Sequence, residues 1–397
     1  MNVEKIRGDF PVLRSGVTYF DSACMSLKPL QVIEAQDEYY EEYSGCAGRS
    51  LHRLGKKTEE KFEEARRKVA KFVGAAPSEV VWTRNTTEAI NLVARTLDFS
   101  KKNKVVTSNM EHHSALLPFL VPAKQGKLRL EYVTADAEGM THADDWIKKI
   151  DGQTRLVVVH QTTNTVGTRA PLKEIIKAAH DNGALVLVDA AQGIPHAETS
   201  FKKLDADFLA FSGHKMLGPT GTGCLVAKAV LLEEMPTFMV GGETVERVSL
   251  DSATFLKPPH KFEAGLQNYA GAIGLGAACD YLARIGMRNV EEHEKKLAKK
   301  LFEALTQTGV KVYGPADVKN RSALATFNAE KARPHEVAMM LDKIANVAVR
   351  SGVFCAEPAM AHLGAPQGAV RASLYLYNTE EEIDYFRESL EKIMKLY

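Results

Sequence analysis

Two short runs of residues, apolar on both faces, limit the fold of this chain most. Leu156-Val157-Val158-Val159 and Ala184-Leu185-Val186-Leu187-Val188 show no polar alternation. Strands need that pattern when helices cover both sides of a parallel sheet. The runs read as strands at 156–160 and 184–189, with further strand candidates at 79–83, 104–108, 128–133 and 207–212. Helical patterns at 86–97, 113–123 and 171–182 separate them, and Pro171 suits the start of the last. Strands alternating with helices predict a doubly wound α/β domain with a mostly parallel sheet.

Near residue 268 the pattern changes. Residues 268–285 read as one small-residue helix, 291–305 as a charged amphipathic helix, 323–328 as an apolar run and 380–394 as a closing helix. This half predicts a smaller α+β domain. The expected division is 16–280 for the large domain and 281–397 for the small one, with 1–15 packing on the latter. A chain of 397 residues is long enough for two cores.

Charge excludes several functions. The chain has 51 basic and 50 acidic residues, a net charge of +1. That balance provides neither a nucleic-acid footprint nor a polybasic membrane anchor. Charges interrupt the first seven residues, unlike a signal peptide, and the apolar runs are far shorter than a membrane span. A soluble, cytoplasmic protein is expected. The five cysteines, Cys24, Cys46, Cys224, Cys279 and Cys355, are odd in number and form no CxxC pair. This argues against a disulfide framework and a cysteine-rich zinc site, so no metal is expected.

Four motifs carry chemistry, each after a predicted strand. In Ser212-Gly213-His214-Lys215, a lysine stands among small residues and before Gly218-Pro219-Thr220-Gly221-Thr222-Gly223. The glycines allow close backbone approach to a ligand, and such a lysine can lose its proton and form a Schiff base. The order GxxxxGK[ST] is absent, which excludes a P-loop; a surface lysine in a glycine-rich turn is the other reading. Asp189, in Val188-Asp189-Ala190-Ala191-Gln192, ends an apolar strand. There it is either a partner for a pyridinium nitrogen, with Gln192 near the ring hydroxyl, or a structural carboxylate. Asn85-Thr86-Thr87-Glu88 opens a helix, as either a phosphate site or an ordinary cap. In Glu111-His112-His113, a histidine is either stacked on a flat ring or solvated in a loop; adjacent histidines make a poor metal pair. Taken together, the motifs read as a pyridoxal-5′-phosphate (PLP) site.

Over nearly its whole length the chain resembles the class-V aminotransferase family of PLP enzymes (fold type I), and within it the Suf-type cysteine desulfurases and selenocysteine lyases. Besides these motifs, the resemblance rests on Tyr19-Phe20-Asp21-Ser22-Ala23, Arg49, His52, Phe262-Glu263-Ala264-Gly265, Arg350, Cys355-Ala356-Glu357-Pro358 and Arg371-Ala372-Ser373. It implies that Lys215 holds the cofactor and moves protons, His112 stacks on the ring, and Asp189 and Gln192 hold the ring nitrogen and hydroxyl. It further implies phosphate binding by Thr86, Thr87, Ser212 and His214, and a place for Asn164 against ring and substrate. Arg371 would take the substrate carboxylate bidentately, and Arg350 would position the substrate or the cysteine loop. Cys355 would attack the sulfur of L-cysteine, giving L-alanine and an enzyme persulfide for a sulfur-acceptor protein; as a thiolate it needs nearby positive charge. A homodimer is also implied, as are iron–sulfur cluster assembly or a related sulfur supply, and possible action on selenocysteine.

The chain departs from the family at two places. Val353-Phe354 stands where two histidines are common, and Leu266-Gln267 where Thr-Pro is common. The first departure motivates a second expectation, a cysteine lyase, epimerase or aminotransferase with a structural Cys355. A binding protein of the same fold without turnover is the third; Lys215 and Asp189 argue against it.

Overall fold

The computed structural model describes residues 1–48 and 50–397; Arg49 lies outside the described residues. Seven strands form the large sheet: β1 (Val80–Thr83), β2 (Lys104–Ser108), β3 (Arg129–Val133), β4 (Thr154–His160), β5 (Leu185–Asp189), β6 (Phe208–Ser212) and β7 (Gly223–Ala227). Their order is β1-β7-β6-β5-β4-β2-β3. Strands β2 to β6 pair in parallel, whereas β7 is antiparallel to β1 and β6.

The two-faced apolar runs explain how the sheet is covered. Val157, Val159, Val186 and Val188 enter one core cluster, while Leu156, Val158 and Leu187 enter another on the opposite face. Successive strand residues point to opposite sides, so both faces need helices over them. Helix Tyr269–Ile285 packs against helices Leu30–Glu42 and Arg53–Val73 in the first core. The small residues of that helix have a steric purpose. A Cβ on Gly276 would lie 2.9 Å from the Ala65 Cα, so the two helix backbones could not approach as they do.

The second unit is a four-stranded antiparallel sheet of β8 (Lys311–Tyr313), β9 (Leu324–Asn328), β10 (Arg350–Gly352) and β11 (Ala369–Ser373), in the order β8-β9-β11-β10. Helices Met287–Gln307, Pro334–Ala345 and Glu380–Met394 share its core.

The large core extends across both expected junctions. A cut at 280/281 would divide helix Tyr269–Ile285, whose Tyr281 and Leu282 belong to the large core. Gly286, with a positive φ of 86°, ends that helix before Met287–Gln307 begins, and Met287 and Val290 of the second helix enter the large core as well. At the other end, Ile6 and Phe10 pack in the large core, Phe10 against Tyr281 and Tyr377, while Arg7 donates to the Tyr377 carbonyl at 2.6 Å and pairs with Glu382 at 2.9 Å, so residues 1–15 touch both units. Residues 18–20 instead join the small unit. Thr18–Tyr19 pairs in parallel with Val347–Ala348, and Phe20 packs on Phe386. Large aromatic side chains decide both placements, because each goes to the core with room for its ring. Among the described residues, no helix is long and apolar enough to cross a membrane.

Candidate active site

The carboxyl ends of the sheet strands open onto a cavity of about 250 Å³. Open α/β sheets bind ligands at this edge. Lys215, Asp189, His112, Asn164, Gln192, Thr86, Thr87, Ser212, His214, Arg350, Cys355 and Arg371 all line it, so every candidate residue meets in one place.

One end of the cavity is a helix start. Asn85 caps Thr86–Thr96, its side chain accepting from the Glu88 N–H at 3.0 Å. The Thr86 N–H donates to Ser212 Oγ at 2.9 Å, and the two hydroxyls pair at 2.7 Å. This joins the helix start to the end of β6. Thr87 and Ser114 share a hydroxyl contact at 2.6 Å. His214 is held in its neutral form, its pKa lowered to about 4 by burial and by the charges of Lys215 and Lys28.

His112 caps the next helix, His113–Lys124. Its Nδ1 accepts from the Ser114 N–H at 3.1 Å, so the ring proton sits on Nε2. Burial, and then the charges of Lys215, His113 and Arg371, push its pKa down to about 3. The ring is therefore neutral at physiological pH.

Asp189, at the end of β5, is buried and accepts from the Ala191 N–H at 3.0 Å. Burial raises its pKa, and Lys215 opposes that rise. Lys215 follows β6 in a short turn and makes no hydrogen bond or ion pair within the described residues. Burial, reinforced by Arg371, lowers its pKa, while Asp189 acts in the other direction. A depressed amine pKa raises the neutral, nucleophilic fraction that a Schiff base needs. Gln192 donates to the Ala23 carbonyl at 2.7 Å, tying the N-terminal segment to the cavity floor.

The opposite wall comes from the small sheet. Arg371 on β11 is 3% exposed, and its Nη1 donates to the Asn164 carbonyl at 2.7 Å. Its Nη2 lies 3.5 Å from Asp21, and among the described residues its buried Nε has no partner. Arg350 stands opposite Arg371 in the strand register. Like charges facing across strands repel, so this pair favours an anion between or beside them. Cys355 is exposed, on a turn where Phe354 and Cys355 both have positive φ, 56° and 54°. The turn is pinned by Asn164 Nδ2 donating to the Phe354 carbonyl at 2.7 Å and by the His113 N–H donating to the Cys355 carbonyl at 2.8 Å.

These residues fit PLP. Hydroxyls at a helix start suit a phosphate, a buried carboxylate suits a pyridinium nitrogen, and a lysine with lowered pKa suits an aldehyde. The orphaned Arg371 Nε and its cross-strand arginine suit a carboxylate besides. Among the described residues, no group of three or more His, Cys, Asp or Glu side chains is placed to hold a metal ion.

Comparison with known proteins decides the family, because the class-V aminotransferase model matches residues 18–386. The chain belongs to the class-V aminotransferases. That family is PLP-dependent, with the fold type I architecture seen in the large sheet. A probable cysteine desulfurase of Methanothermobacter thermautotrophicus is 44% identical over 99% of this chain and 98% of its own length. A cysteine desulfurase of Shigella sonnei is 38% identical over 100% of the chain and 99% of its own. Among solved structures, the apo cysteine desulfurase of Thermococcus onnurineus superposes with a TM-score of 0.96 at 42% identity, covering 99% of this chain and 98% of that one. The Escherichia coli desulfurase CsdA gives 0.92 at 33%, covering 100% and 99%.

The class-V site also contains residues that motif reading passed over. Cys24 lines the cavity, and Asp21 contacts Arg371. His160, at the end of β4, holds Glu111 through Nδ1 at 2.8 Å. Glu111 stood in view within Glu111-His112-His113, but its partner lies 49 residues away. The strand-end position of His160, beside Asp189 in register, was the usable signal.

Proposed function

We propose that this class-V aminotransferase is a PLP-dependent cysteine desulfurase that moves sulfur from L-cysteine to Cys355. One observation carries the reading: an exposed thiol on a constrained turn lines the same cavity as Lys215 and Arg371. The full-length similarity to proteins called cysteine desulfurases supports it.

In this reading Lys215 would hold the cofactor, His112 would lie against its ring, Asp189 and Gln192 would serve the ring nitrogen and hydroxyl, and Thr86, Thr87, Ser212 and His214 would bind the phosphate. Bound PLP supplies an electron sink for charge developing at the substrate α-carbon. Arg371 takes the substrate carboxylate, with Arg350 beside it and Asn164 against the substrate. The Lys215 amine, released when the substrate takes its place on the cofactor, would accept the proton from the substrate α-carbon and later return protons to carbon. The Cys355 thiolate attacks the substrate sulfur, so an S–S bond forms as the Cβ–S bond breaks. The carbon keeps that electron pair and gains a proton, which gives L-alanine and a Cys355 persulfide.

The persulfide requires an acceptor, and we infer an acceptor protein in the cytoplasm, serving iron–sulfur assembly or a related sulfur supply. Selenocysteine fits the same chemistry. We also infer a homodimer, since the exposed Leu266 and Met239 line one open cleft. The deciding experiment is a single turnover of the yellow holoenzyme with L-cysteine, without reductant, followed by intact mass. One added sulfur with alanine, absent in Cys355→Ala, is expected. Pyruvate and free sulfide without added sulfur would instead mean β-elimination.

A further inference from the structure

We propose that Phe354 is a positioning residue that ties the placement of the Cys355 thiol to the guanidinium of Arg371. The reaction it serves rests on the desulfurase reading, whereas the coupling itself rests on geometry.

Phe354 is an apolar residue in a wall otherwise built to hold an anion. Its ring lies 4.9 Å from the Arg371 Cζ, and both side chains are buried. A guanidinium over an aromatic face is attracted by the ring quadrupole, more strongly when water is excluded. Arg371 needs this support. Its Nε has no partner, and its contact to Asp21 is long at 3.5 Å.

The same residue is fixed through its backbone. Its carbonyl accepts from the Asn164 side chain, and the Asn164 carbonyl accepts from Arg371, each at 2.7 Å. Phe354, Asn164 and Arg371 therefore form a closed ring of contacts. Cys355 follows Phe354 directly, and both hold left-handed backbone conformations. Non-glycine residues keep such conformations only where their surroundings over-determine them. Here the constraint includes the ring of contacts, the His113 N–H on the Cys355 carbonyl, and packing in a cluster with Met110, Met360 and Leu363. A carboxylate that engages Arg371 thus meets a guanidinium whose position already sets the turn bearing the thiol.

Packing alone predicts that any apolar side chain of similar size would serve, so the test separates the ring face from its bulk. Phe354→Leu, Phe354→Met and Phe354→Tyr are compared with wild type as holoenzymes. The readouts are Cys355 persulfide formation in a single turnover with L-cysteine, and the rate of Cys355 alkylation by iodoacetamide without substrate. Visible absorption of bound PLP and thermal unfolding serve as controls. In Phe354→Leu and Phe354→Met, persulfide formation is expected to fall about tenfold and alkylation to change at least about threefold, with PLP absorption unmoved and unfolding still cooperative well above the assay temperature. Phe354→Tyr keeps the ring and stays within about twofold of wild type. Wild-type behaviour in the leucine and methionine variants overturns the proposal, as does a tyrosine variant impaired like them. If leucine unfolds the protein, methionine decides. A wild type that forms no persulfide defeats the desulfurase reading, and the alkylation rates then judge Phe354 alone.

Discussion

The floor and the wall of the cavity are built in opposite ways. On the floor, Thr86, His112, Asp189 and Lys215 each follow a strand of one sheet, and the hydrogen-bonded ladder sets their spacing. In the wall, Cys355 depends on two consecutive left-handed residues, a carbonyl held by Asn164 and an arginine lacking one partner. Rigid secondary structure places cofactor chemistry precisely enough to need few local supports. A turn has no ladder, so side chains from three distant segments must hold it.

The largest expected effect tests the floor. Lys215→Ala should lose the yellow colour and reduce alanine formation from L-cysteine by at least about 10³-fold, as removal of a covalent and proton-transfer group requires. Turnover near the wild-type rate would remove Lys215 from the mechanism.

A second test asks whether the floor depends on its framework. Arg66 is 1% exposed and bonds Glu263 at 2.7 and 2.9 Å, while Glu263 also accepts from the Trp82 N–H at 2.9 Å, beside β1. Glu263→Gln removes the buried charge partner and leaves Arg66 with only the partly exposed Glu63, and should destabilise the protein by about 1–3 kcal/mol in denaturant unfolding. Burial alone would raise the Glu263 pKa, but Arg66, His260 and the Trp82 N–H overcome it and hold the value at about 2. A depressed carboxylate pKa contributes stability fully above the ordinary value of 4.5, and the contribution disappears as pH falls toward about 2. The stability gap between wild type and variant should therefore narrow on acidification below pH 4.5. A constant gap would assign the effect to packing.

Two smaller effects test the wall. Arg371→Lys keeps the charge but loses the planar fork, and kcat/KM for L-cysteine should fall about tenfold to a hundredfold, mainly through KM. A loss confined to turnover would place Arg371 at the thiol instead of the carboxylate. Asn164→Ala removes the donor to the Phe354 carbonyl, and single-turnover persulfide formation should slow about threefold to tenfold. An unchanged rate would show that the turn holds without Asn164, weakening the contrast between wall and floor.

The strands of the floor were legible because burial on both faces leaves a direct mark in composition. Strand 104–108 and helix 380–394 have the bounds expected, and β4 starts two residues earlier than read. Helix Arg53–Val73 was not expected from the sequence, because dense charge obscures the helical spacing of Phe62, Ala65, Val69 and Val73. The domain junctions left no such mark, because the large core crosses the 280/281 division without a change of composition, and aromatic residues near the N-terminus divide between cores that no local pattern distinguishes.

Sequence alone determined the fold class and the chemical inventory. Period, apolar runs and strand-end motifs arise from neighbours along the chain, and there the lysine, aspartate, histidine and threonines are already in order. Tertiary structure decided which distant groups share charge and shape. Arg66 meets Glu263 across 197 residues, Asn164 reaches Phe354 across 190, and Arg371 rests on the ring beside Cys355. Such pairs depend on long-range closure of the chain, and the burial and electrostatics that set their pKa values exist only once the two cores have packed.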